Sequence, residues 1–170
     1  MRSLLRRPVV MSGLVVAAVL AVVALLVFEP WKLVVDQRVD EAAPAPPVAA
    51  SAAPAVLARG ELVAHEHASS GTVEVLALSD GSRVLRLQDL RTSNGPKLKV
   101  WLSDQPVLPG RDGWFVFDDG RHVDLGDLKG NIGSSNYAVP ADVDLLALGS
   151  VTIWCDRFSV SFAAARLVPA

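Results

Sequence analysis

The chain has 170 residues, 51% of them hydrophobic, and a formal net charge of −2. From residue 59 onward eleven Lys/Arg stand against fourteen Asp/Glu with no basic block, which speaks against nucleic acid as a partner. A single cysteine excludes an internal disulfide, so a folded domain here stands on packing alone.

Residues 9–28, VVMSGLVVAAVLAVVALLVF, hold no charge and no proline. At about 1.5 Å per residue such a run crosses a hydrocarbon core of ~30 Å, and it reads as a transmembrane helix that attaches the protein to a membrane. Arg2, Arg6 and Arg7 precede the run and Glu29 follows it. That asymmetry predicts a single-pass cell-membrane protein, with residues 1–8 cytoplasmic and everything after Phe28 extracytoplasmic. A cleaved signal peptide also starts basic, but its apolar region is shorter and ends at a small-x-small site, unlike Phe28-Glu29-Pro30-Trp31.

Residues 29–58 read as a juxtamembrane stalk and linker. Over 33–41 mixed charge predicts a disordered stalk; over 42–58 Pro44, Pro46, Pro47 and Pro54 among Ala, Ser and Val predict an extended Pro/Ala-rich spacer. Residues 59–170 then suffice for one modest core.

In that unit the hydrophobic period is 2, seldom 3.6. A short first strand is expected over 60–64. Residues 71–78 and 83–87 form a hairpin around Ser79-Asp80-Gly81-Ser82, and 97–102 alternates as a strand with one buried face. A weaker strand or aromatic loop follows at 114–117, and a short strand at 121–125. The Gly- and Asn-rich stretch 126–140 reads as a tightly turning loop. The last strands fall within 145–154 and 156–167. The sum is an all-β fold, an antiparallel β-sandwich or barrel-like ectodomain behind one N-terminal transmembrane helix.

Few side chains advertise chemistry. Cys155 sits in an apolar strand with Val151 and Ile153 on its face, so it is either a buried structural thiol or a redox-active or cofactor-ligating one. His65 and His67 share a face if their segment is a strand, and both imidazoles then reach one metal; without a partner set they serve equally as loop or surface residues. His122 stands alone. Asp118, Asp119, Asp124 and Asp127 lack calcium-loop spacing and read as turn formers, and no metal site is assigned. No nucleophile elbow or phosphate loop occurs.

Four motifs carry a resemblance. They are Gly95-Pro96-Lys97-Leu98-Lys99-Val100-Trp101-Leu102, Leu125-Gly126-Asp127-Leu128-Lys129-Gly130-Asn131-Ile132-Gly133, Tyr137-Ala138-Val139-Pro140 and Trp154-Cys155-Asp156-Arg157-Phe158. With their order and spacing, residues 59–168 resemble the electron-transfer DM-thirteen domain family. The resemblance implies a β-sandwich-type extracytoplasmic domain of the kind found in bacterial membrane-linked proteins. It also implies an electron-transfer or thiol-redox role centred on Cys155, acting as a naked thiol or as ligand to a prosthetic group such as haem. His67 is then the second candidate ligand, with His65 behind it. A lone thiol needs an extracytoplasmic protein or redox partner to complete a disulfide. The alternative is a non-catalytic binding or cell-envelope interaction module in which Cys155 is a buried structural residue and loops, especially 126–140, do the binding.

Overall fold

The computed structural model describes residues 8–44 and 53–170. The basic residues Arg2, Arg6 and Arg7 and the centre of the Pro/Ala-rich spacer, 45–52, lie outside the described residues. The apolar run forms α1 (Pro8–Phe28), which buries none of its residues against the protein. A helix apolar on all sides and left uncovered is suited to lipid, and α1 is long enough to span it. Its last residue meets the β domain, where Phe28 stacks on Phe158 with ring centroids 6.1 Å apart.

Two sheets make the sandwich. The first runs in the spatial order β1 (Arg38–Asp40), β8 (Ile132–Val139), β5 (Arg83–Arg91), β4 (Ser70–Ala77), β2 (Ala55–Glu61) and β11 (Val168–Pro169). The second runs β3 (Val63–Ala64), β10 (Val160–Arg166), β9 (Ser150–Cys155), β6 (Leu98–Ser103) and β7 (His122–Asp127). Every pairing is antiparallel except that of β1 with β8. The expected hairpin is β4–β5, and Asp80 Oδ1 closes its turn by accepting from the Ser82 N–H at 2.9 Å.

Alternation fails in β9 because both of its faces are covered. Val151, Ile153 and Cys155 enter the core between the sheets. Trp154 points the other way, into a second cluster with Trp101, Phe117 and Ala164, over which Val107 and Val116 of the β6–β7 connection pack. That connection contains residues 114–117, which form a loop and no strand.

Two segments differ from the sequence reading. Residues 126–140, expected to be a loop, supply β8, an inner strand between β5 and β1. Its polar residues are satisfied where they are buried: Ser134 Oγ accepts from the Asp89 N–H, and Ser135 Oγ donates to the Tyr137 hydroxyl. Residues 33–41, expected to be disordered, contain β1, which owes its order to backbone pairing with β8 and not to any apolar pattern of its own. Strand β2 likewise begins at Ala55, inside the stretch read as spacer.

Candidate functional site

Cys155 closes β9, opposite Val160 on β10 and Leu98 on β6. Its side chain is wholly buried, and the thiol donates to the Pro96 carbonyl at 3.3 Å. Burial pushes the thiol pKa up. The Phe158 and Arg157 backbone N–H groups oppose the shift, and the charges of Glu66 and Asp156 add to it. Burial and the raised pKa both disfavour the thiolate, the form in which a cysteine acts as a nucleophile. The Arg157 side chain lies on the exposed β9–β10 turn.

Beside this strand end opens an apolar pocket of about 380 Å³, walled by His67, Pro96, Trp114, Phe115, Phe158 and Phe162. Pro96 is the link between pocket and thiol, since it lines the one and takes the hydrogen bond of the other. His67 stacks on Phe162 with centroids 4.0 Å apart, and its Nε2 lies 2.5 Å from Glu66 Oε2.

The two histidines of the His-x-His pair part company. Strand β3 ends at Ala64 and residues 65–67 bend, so the alternation that places i and i+2 on one face has lapsed. His65 turns inward, with Nδ1 2.8 Å from Ser161 Oγ, which in turn lies 2.8 Å from Thr152 Oγ1. Its ring packs near Phe117, and burial lowers its pKa, with the Leu108 carbonyl opposing. His122 stacks on Trp101 at 3.9 Å. Asp124 accepts from the Gly126 N–H and shares Lys99 with Asp127, at 3.2 and 2.8 Å, as turn-forming carboxylates do. Among the described residues no group of three or more His, Cys, Asp and Glu side chains converges to hold a metal ion.

A haem held between Cys155 and His67 does not fit this arrangement. The thiol points at a carbonyl inside the core, and the outward nitrogen of His67 is engaged by Glu66.

The profile of the electron transfer DM13 family matches residues 61–167. The chain belongs to that family. No curated protein and no solved structure matches it. The family carries a general electron-transfer description, whereas the one cysteine of this chain is placed as a core side chain.

The match begins at Glu61, so β1 and nearly all of β2 precede it. The DM13 motif Gly130-Asn131-Ile132-Gly133 builds the seat for that preceding strand. A Cβ on Gly133, whose φ is +107°, would lie 2.0 Å from the Val39 carbonyl oxygen, and one on Gly130 would lie 2.6 Å from that of Gln37. Only glycine admits so close a backbone. Asn131, almost fully buried, accepts from the Gln37 N–H at 2.7 Å and donates to Asp36 Oδ1 and the Thr92 carbonyl, both at 2.8 Å.

The far end of β1 is clasped too. Glu41 reaches Lys129 Nζ and the Asn136 N–H, at 2.8 and 2.7 Å, and these bonds pull its pKa down against partial burial. Arg86 donates to the carbonyls of Glu41 and Ala42. Asn131, Glu41 and Arg86 were not among the residues singled out from sequence. The Gly-Asn-x-Gly spacing was visible, but as a loop signature, because its partner lies more than ninety residues away.

Proposed function

We propose that this protein is a membrane-tethered binding or cell-envelope interaction module of the DM13 family in which Cys155 has a structural role. The observation that carries the reading is the thiol itself: fully buried in the core and bonded to the Pro96 carbonyl. The apolar pocket beside it, with His67 at its wall, supports binding of an apolar group at this end of the sandwich. The basic residues before α1 support a cytoplasmic N-terminus and an extracytoplasmic sandwich, and Cys155 packs as a small hydrophobe in that sandwich's interior.

The test uses the full chain in a mild detergent, with a thiol reagent applied before and after denaturation and a visible spectrum recorded with and without added haem. Labelling confined to the denatured protein, and a spectrum of added haem unchanged by Cys155→Ala, are expected. Rapid labelling of the native protein, or a haem band lost in Cys155→Ala, returns the assignment to redox or ligand chemistry at Cys155.

A further inference from the structure

The position of the sandwich above the membrane is set by a short, pinned chain. From Val35 onward the juxtamembrane segment is bonded to the domain: Asn94 Nδ2 donates to the Val35 carbonyl at 2.9 Å, Asn131 holds Asp36 and Gln37, and β1 follows. Between that point and the end of α1 lie residues 29–34, and Pro30–Leu33 within them form a 3-10 turn. The Pro/Ala-rich spacer falls after β1, so it does not set the height of the domain.

The part of the sandwich reached first from α1 is aromatic. Phe158, half exposed, stacks on Phe28, the last residue of the span. Phe115, equally exposed, walls the same pocket as Phe158 and Trp114. Trp31, in the connecting turn, is 45% exposed. Of the charges around this edge, Glu29 pairs with Lys32 at 2.9 Å and Lys97 with Asp156 at 3.9 Å, while the exposed Arg157 beside Phe158 and Arg111, 5.4 Å from the Trp114 ring centroid, make no ion pair among the described residues. Such an edge is a large aromatic tip flanked by basic side chains, the composition that settles at a bilayer interface.

We infer that the Phe115–Phe158 edge is seated in the interfacial layer of the leaflet from which α1 emerges. The occupant of this surface is lipid, and continuity with the membrane-spanning helix through the Phe28–Phe158 stack argues for it. Lipid contact also covers apolar area that water otherwise meets, at ~25 cal/mol per Å². The consequence is that the pocket beside Cys155 opens at the level of the lipid and not into bulk solvent. This inference is independent of whether Cys155 is structural or reactive.

The experiment reconstitutes the full chain in phosphatidylcholine vesicles doped with a phosphatidylcholine bearing a diazirine near the acyl carbonyl, followed by photolysis and peptide mapping. Label is expected on the peptides holding Phe115 and Phe158, at several-fold the level on the peptide holding Leu146, which is highly exposed beyond the opposite end of β9. The double variant Phe115→Ser/Phe158→Ser, altered at exposed positions, is expected to lose that label while keeping the label on α1. Label confined to α1 and residues 29–34, or equal label on the Leu146 peptide, overturns the seating.

Discussion

The seat of β1 and the end of β9 both lie within the stretch that matches the family, yet they are opposite kinds of place. At the seat, glycines remove side chains so that backbones approach, and every buried polar group of Asn131 finds a partner. At the end of β9, a potentially reactive group has been taken into the apolar core and given one weak acceptor. The difference teaches that a motif's distinctiveness reports how tightly its surroundings constrain it, and that the constraint is as often backbone fit as chemistry.

The comparison breaks most sharply at Gly133. A β-branched side chain there meets the Val39 carbonyl and a φ forbidden to it, so Gly133→Val is expected to eject β1 and cost about 3 kcal/mol or more. Urea unfolding and protease cleavage within residues 29–44 measure it; unchanged protection of that segment refutes the seat. Next comes Asn131→Ala, which strands the Gln37 N–H and the Thr92 carbonyl. A loss of ~1–3 kcal/mol is expected in the same assay.

Cys155→Ala should be milder, about 1–2 kcal/mol for a small cavity in the core, with the Phe115–Phe158 edge unaffected. A stability equal to the parent, paired with a lost function, would mark the thiol as chemistry and collapse the contrast between the two places.

The smallest effects are in pH. Burial lowers the His65 pKa, so the unfolded chain binds its proton first; stability is complete above the unfolded value of about 6.5 and falls as pH drops through the folded one. His65→Gln should flatten that slope in thermal unfolding between pH 7 and 5. Glu41 acts lower. Its depressed pKa gives stability present above the unfolded value of about 4.3 and lost as pH falls through the folded one, a loss that Glu41→Gln should abolish.

Legibility followed locality. The β4–β5 hairpin was readable because alternation and turn chemistry sit within one short stretch, and α1 because an uncharged run of that length needs no distant partner to form a helix. The face shared by Val151, Ile153 and Cys155 was readable from period 2 as well. By contrast β8 was hidden by its two serines and its asparagine, which bond to Asp89 of β5, to Tyr137 of β8 itself and to Glu41 just after β1. The pocket of His67, Pro96, Trp114, Phe115, Phe158 and Phe162 was hidden because four separate stretches of chain converge on it.

By itself the sequence determined that this protein is a β domain behind a membrane-spanning helix, since length, hydropathy and period are properties of neighbouring residues. Its motifs also determined the family. The tertiary structure alone decided that the stalk is a strand of the domain, that His65 and His67 face different surroundings, and that Cys155 is enclosed. Each of these depends on what packs against a residue from far along the chain, and burial and backbone pairing, unlike periodicity, do not exist until those distant segments have met.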